Sequence, residues 1–262
     1  MLIPRHATGP TRGRQSGLTL ASLLIGMGLG TLVLAGASSL YLLSVRGVAE
    51  NIRQSRLNQE LRATLEIMRQ DIRRAGYWAM PTDANPRANP FQTFGGALHT
   101  AARIGAVTGE ASASCLTYAY DLNSNGRVGL CQGCAQSGPP FDDPGFDQSN
   151  VELFGFRMRN GGIQMRTRFA STSETTFDCE SGHWERITSD EVAIEALGFS
   201  LISRSFNLSP DKTPNDACLT GDLCQEIRTI EITLDGQARG APDMRQRLTT
   251  RIALHNDRHA IH

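Results

Sequence analysis

The chain has 262 residues, 40% of them apolar, with 26 basic and 26 acidic side chains. That length holds one substantial domain plus an accessory element, and a formal charge of zero excludes a whole-protein field that would gather nucleic acid or anionic lipid. Much of the apolar content sits in one block near the start, so the remainder is a polar body rich in Gly, Asn, Asp, Ser and Thr, which reads as strands and loops.

Met1 to Gly17 carries Arg5, Arg12 and Arg14 and no acid. The next charged residue after Arg14 is Arg46, and Leu18 to Val45 is a run of 28 residues dominated by Leu, Ile, Val, Ala and Gly. At about 1.5 Å per residue this run reaches roughly 42 Å as a helix, beyond the ~30 Å hydrocarbon core of a bilayer. The positive-inside rule leaves the N-terminus in the cytoplasm and sends the rest across, as a single pass. A cleavable secretory signal is the competing reading, but this run outlasts the usual h-region and passes straight into an amphipathic helix. Gly26 and Gly30 form a small-xxx-small pair that allows close helix approach.

Gln15-Ser16-Gly17-Leu18-Thr19-Leu20-Ala21-Ser22-Leu23-Leu24-Ile25-Gly26 resembles the cleavage and methylation site of type IV prepilins. The resemblance implies that a prepilin peptidase cuts between Gly17 and Leu18 and methylates Leu18. Residues 1–17 are then a leader peptide, and its loss takes three arginines and leaves 23 basic against 26 acidic residues, or −3. Two departures matter. Leu18 replaces the more usual Phe, and Ser22 stands where most pilins carry a Glu. In the family that carboxylate pairs with the α-amine of the subunit above, inside hydrocarbon. Ser22 supplies no such charge, which suits either a subunit at the filament tip or a low-copy subunit that tolerates the loss.

Residues 18–45 are read as the transmembrane half of one long helix and 46–76 as its amphipathic half. Val48, Ile52, Leu57, Leu61, Leu65, Met68 and Ile72 recur mostly at spacings of three or four, with charged residues between them, the period of a helix with one apolar face. Gly76 supplies a stop, and Arg73 and Arg74 oppose the helix dipole in the last turn. The run Asp71-Ile72-Arg73-Arg74-Ala75-Gly76-Tyr77-Trp78 resembles the end of this helix in minor pilins of the PilW group, and the J-type pseudopilins of type II secretion share a similar plan.

Residues 77–262 are read as a β-rich periplasmic head. Tyr77 to Gly96, with three prolines, is expected to wrap the head irregularly. Strands are expected at Cys115–Tyr120, then at Val151–Arg159 and Ile163–Phe169 about an Asn160-Gly161-Gly162 hairpin. Further strands are expected at Trp184–Thr188, Leu197–Arg204, Ile227–Leu234 and Leu248–His255, in antiparallel order. The fold class is therefore α+β: a long N-terminal helix packed on an antiparallel sheet, pilin-like.

Cys115, Cys131, Cys134, Cys179, Cys218 and Cys224 all follow the apolar block, and an even count in an exported segment points to disulfides. The spacing leaves the pairing open, with the short closure of Cys218 on Cys224 preferred. Cys131-Gln132-Gly133-Cys134 lacks the second CxxC of a zinc site. Asp121-Leu122-Asn123-Ser124-Asn125-Gly126-Arg127 fits the start of an EF-hand-like calcium loop, with Asp121, Asn123, Asn125 and Arg127 as its ligand positions, but Gln132 stands where the closing Glu belongs. The same residues also make an ordinary turn.

Arg157, Arg159, Arg166 and Arg168 alternate along the hairpin and could present one basic face to DNA, or only to solvent. No nucleophile–base arrangement and no phosphate loop is present, so no enzyme and no cofactor is expected. The resemblance implies a minor pilin that helps start pilus assembly at or near the tip, first in the inner membrane and then on the cell surface. Its implied partners are other minor pilins, the major pilin, the peptidase and the inner-membrane assembly platform. A J-type pseudopilin and a DNA-uptake subunit are the alternatives, although nucleic acid is not an expected partner.

Overall fold

The computed structural model describes residues 19–79, 89–93, 99–124, 126, 128–129, 152–168, 176–256 and 258–261. Gly17, Leu18, Asn125, Arg127, Cys131 and Cys134 lie outside these. The chain divides into two compact units, Met1–Ile52 and Arg53–His262.

Helix α1 runs from Leu20 to Ile72. Thr19 starts it: its carbonyl accepts the first helical bond, from Leu23 N–H at 3.2 Å, and its Oγ1 accepts Ser22 N–H at 3.3 Å, the work of an N-cap. The apolar part of α1 contains an 18-residue window of mean hydropathy 2.0 with none of its residues buried. Length and composition suit a membrane span.

In the second unit α1 buries Leu57, Leu61, Leu65, Met68 and Ile72, spaced by three or four as the amphipathic pattern requires. Val48 and Ile52, which extend that pattern towards the N-terminus, are exposed and belong to the first unit.

The helix meets two antiparallel sheets. The first holds β1 (Arg103–Gly105), β2 (Cys115–Ala119), β3 (Leu153–Arg159), β4 (Gly162–Arg168) and β5 (His183–Arg186), in chain order. The second holds β6 (Val192–Asn207), β7 (Leu223–Ala238) and β8 (Ala241–Ala253), with β9 (Arg258–Ile261) paired to the start of β7. Leu57 to Ile72 of α1, Leu116 and Phe156 of the first sheet, and Leu197, Ile230, Ile232 and Leu234 of the second form one core. Burying each such side chain contributes about 2 kcal/mol. Leu61 reaches the second sheet over Gly236, where a Cβ would stand 2.8 Å from its Cδ2. The α+β class read from the sequence is the one observed.

The hairpin between β3 and β4 turns on Asn160 and Gly161, at φ 52 and 65, the positive pair of a type I′ turn. A second hairpin was not legible. β7 and β8 join through Arg239 and Gly240, with Ala238 opposite Ala241, so β8 begins seven residues before the expected Leu248. β8 carries Pro242 near its start and lies at the rim of its sheet, where a missing N–H is tolerated.

Candidate functional site

Three places on the chain bear on function: the start of α1, its end, and the loops of the head. At the start, the Ser22 hydroxyl donates to Thr19 O at 2.8 Å. Its one proton is spent inside its own helix. Gly26, Gly28, Gly30 and Gly36 meet no atom within 4 Å where a Cβ would stand, so the small-residue positions have open space beside them.

At the end of α1 lies a group that the sequence reading missed. Asp71 is buried, and Tyr118 and Tyr120 of the β2 segment both donate their hydroxyls to it, Tyr118 to Oδ2 and Tyr120 to Oδ1 at 2.8 Å. Arg74 reaches Oδ1 at 2.5 Å and stacks over the Tyr120 ring, 4.6 Å from its centroid, while Phe154 stacks 4.1 Å from that ring. Burial, and after it the Asp71 charge, pushes ionisation of both tyrosines far above the ordinary value, so both stay donors. The signal was present in the helical pattern, since Asp71 falls on the buried stripe three residues after Met68.

One turn later the last carbonyls of the helical segment are taken by side chains from distant parts of the chain. Asn256 Nδ2 donates to the carbonyls of Arg74 and Ala75, each at 3.2 Å, and Asn89 and Gln92 donate to that of Gly76 at 2.9 and 3.3 Å. Buried Arg228 donates to Gln92 Oε1 and Asn256 O. Gly76 sits at φ +77, and a Cβ there would lie 2.5 Å from Gln92 Nε2; only glycine fits this cap.

In the loop after β2, Asp121 is buried and its Oδ2 accepts N–H from Ala79 at 3.0 Å and from Gly126 at 2.9 Å. It serves as a turn residue that ties the loop to the end of the α1 segment. Asn125 and Arg127 are outside the described residues, and no group of three or more His, Cys, Asp or Glu suited to a metal occurs among the described ones. Glu152, missed in the sequence, closes the same loop by accepting N–H from Leu122, Asn123 and Gly129 at 2.7, 3.3 and 2.9 Å.

Burial is the main cause that raises the Glu152 pKa from 4.5 to about 7; the three N–H groups oppose it and the Asp121 charge adds to it. The native carboxyl therefore holds its proton up to about pH 7, whereas the unfolded one releases it near 4.5. The native state binds more protons in that window, so stability is greatest below it and falls as pH rises through it, by about 1.4 kcal/mol per unit at most. Urea midpoints measured from pH 5 to 7 should fall in the wild type and lose that component of the slope in Glu152→Gln.

The hairpin arginines do not form a displayed basic face. Arg157 is 5% exposed: it donates to Gln164 Oε1 at 2.8 Å and Cys179 O at 2.6 Å, and its guanidinium lies 4.3 Å from the Trp184 ring centroid. Burial lowers its pKa to about 10. Arg166 is wholly buried and donates to Leu153 O at 2.7 Å. Arg159 stays partly exposed, 3.7 Å from Glu180, and the Arg168 side chain is outside the description. The reason is that β3 is covered on both faces, by α1 on one and by the Phe177–Trp184 segment on the other. Alternation in the sequence sorted these residues by face but did not reveal the cover.

Disulfides join Cys115 to Cys179, across 64 positions, and Cys218 to Cys224, across six. The first ties β2 to the segment that covers β3.

Comparison with known families matches residues 50–254 to prepilin peptidase-dependent protein B. The chain belongs to that family. The matched part contains the end of α1 and nearly all of the head, and excludes the Gln15–Gly26 motif. The family match alone, over most of the chain, makes this a prepilin-related protein. No curated protein and no solved structure matches.

Proposed function

We propose that the chain is a minor pilin of a type IV pilus, a structural subunit without catalysis or cofactor that helps initiate assembly and sits at or near the tip. The apolar half of α1 anchors it in the inner membrane with the N-terminus cytoplasmic and the head periplasmic, and later forms the stem within the filament. The family's name points to processing by prepilin peptidase, which fits a cut between Gly17 and Leu18 with methylation of Leu18. The observation that carries this reading is the junction of a processing motif and an apolar helix to a head that independently matches a prepilin-related family.

Ser22 supports the place at or near the tip. Its hydroxyl turns back to Thr19 O and offers no charge to the amine of a subunit above, so this subunit gains nothing from having one there. PilW-type minor pilins are the group that the Asp71–Trp78 run resembles. Other minor pilins, the major pilin and the assembly platform are the partners this reading requires.

N-terminal mass spectrometry of the protein from membranes should find methylated Leu18. An intact Met1, or a cut beyond Ser44, overturns the reading. Deletion of the gene should impair surface pili; loss of protein secretion with pili and twitching intact would assign the subunit to a type II secretion pseudopilus instead.

A further inference from the structure

The second sheet has two outer edges, and they are built differently. Along β8, Pro242 removes an N–H, and Arg245, Arg247 and Arg251 pair with Glu195, Asp235 and Glu231 at 3.4, 2.6 and 2.6 Å. Charge and proline keep an exposed strand from pairing with another chain, and no large apolar side chain of β8 is exposed. β6 carries no such guard. From Ala196 to Asn207 its one charged residue is Arg204, and Leu201 and Ile202, on opposite faces of the strand, are each 41% exposed.

The backbone of β6 marks where this edge is open. On the side away from β7, Phe199 N–H donates to Ala113 O at 2.9 Å and Asn207 N–H to Pro214 O at 3.2 Å, while Leu208 N–H turns to β7 and donates to Leu223 O at 2.8 Å. Successive residues of an antiparallel strand bond to alternate sides. Leu201, Ser203 and Ser205 therefore direct their N–H and C=O groups outward, where no partner among the described residues meets them. The stretch is held in shape: β7 pairs with every residue from Ala196 to Asn207. At its far end Asn207, opposite Cys224 of the Cys218–Cys224 bridge, donates through Nδ2 to Ala217 O at 3.2 Å and Asp222 Oδ2 at 2.7 Å. A template fixed in this way loses little freedom when a ligand adds to it.

Arg204 decides the chemistry of that ligand. It is exposed, makes no ion pair among the described residues, and shares its face of the strand with Ile202 and with Ile227 opposite it on β7. We propose that the edge of β6 from Leu201 to Ser205 takes up an extended segment of a partner protein as an added strand, with a carboxylate opposite Arg204 and a branched apolar side chain two residues away, opposite Ile202. The assignment rests on the head alone and goes beyond the filament reading: it is the same for a pilus and for a secretion subunit.

Full-length protein in detergent micelles tests it with three synthetic peptides. The first alternates threonine with valine and has one central glutamate in a valine position, the second has lysine there, and the third is the glutamate peptide N-methylated at its threonines. Fluorescence anisotropy should show the glutamate peptide binding about 5-fold tighter than the lysine peptide, and the methylated one not at all. On binding, hydrogen exchange should slow at the amides of Leu201, Ser203 and Ser205. Arg204→Glu should reverse the order of the two charged peptides. Ser203→Pro removes an outward N–H and leaves the ladder to β7 whole, and should weaken the glutamate peptide about tenfold. If that variant does not fold, the charge reversal at exposed Arg204 still decides.

No binding of the glutamate peptide up to about 1 mM, equal affinity for glutamate and lysine peptides, or binding without protection of the three amides overturns the proposal. A concentration-dependent dimer that Ser203→Pro dissolves would assign the edge to a second copy of this chain and overturns it too.

Discussion

Replacing Asp71 with Ala is expected to lower the stability of the head by about 2–6 kcal/mol, because two buried tyrosine hydroxyls lose their acceptor at about 1–3 kcal/mol each. The substitution strips two tyrosine hydroxyls of their acceptor at once, and burial keeps both from finding water. Tyr118 is wholly buried and Tyr120 nearly so. Arg74 also loses its partner, but that side chain is 52% exposed and can be hydrated, so its share of the loss is small. Tyr118→Phe should cost less, about 1–2 kcal/mol, because it removes one donor and leaves Asp71 with Tyr120 and Arg74. Urea unfolding of the detergent-solubilised chain measures both. A loss below about 1 kcal/mol for Asp71→Ala would mean that the cluster does not fasten the helix to the first sheet.

The second large effect separates the two disulfides. In the chain-entropy account a bridge stabilises by restricting the unfolded chain, more so for longer loops. Closing 64 positions, as Cys115–Cys179 does, corresponds to about 4 kcal/mol, and closing six, as Cys218–Cys224 does, to about 2 kcal/mol. Cys115→Ser with Cys179→Ser should therefore lower the urea midpoint roughly twice as much as Cys218→Ser with Cys224→Ser. The difference should widen further because Cys115 and Cys179 lie in an apolar cluster with Val107 and Trp184, where serine hydroxyls would be buried. Equal midpoints for the two pairs would show that loop length does not govern their contribution.

The parts of this molecule that the sequence displayed are those where one local rule acts alone. Apolar spacing placed Leu57, Leu61, Leu65, Met68 and Ile72 on one helical face, and Asn160-Gly161 announced a turn that demands two positive φ values. Features set by distant partners stayed hidden. Nothing near Arg157 in the chain foretells that the segment around Cys179 and Trp184 will cover it. Nothing near Glu152 foretells that three amides from a loop 23 to 30 residues earlier will converge on it. Asp71 is the intermediate case: an acid on an apolar stripe flags an unusual position, but its tyrosine partners become evident only once β2 lies beside the helix.

The seal on the final turn of the long helix has a bearing on how the molecule matures. Asn256, which takes the carbonyls of Arg74 and Ala75, comes 182 and 181 positions after them, and Arg228 joins the same knot through Gln92. An emerging polypeptide can wind its stem early, but it cannot finish the base of that stem until almost the whole chain has been made. Contacts of such high sequence separation form late and slowly. Folding therefore ends with the closing of this knot, and a chain cut short before Asn256 would keep the base of its helix open.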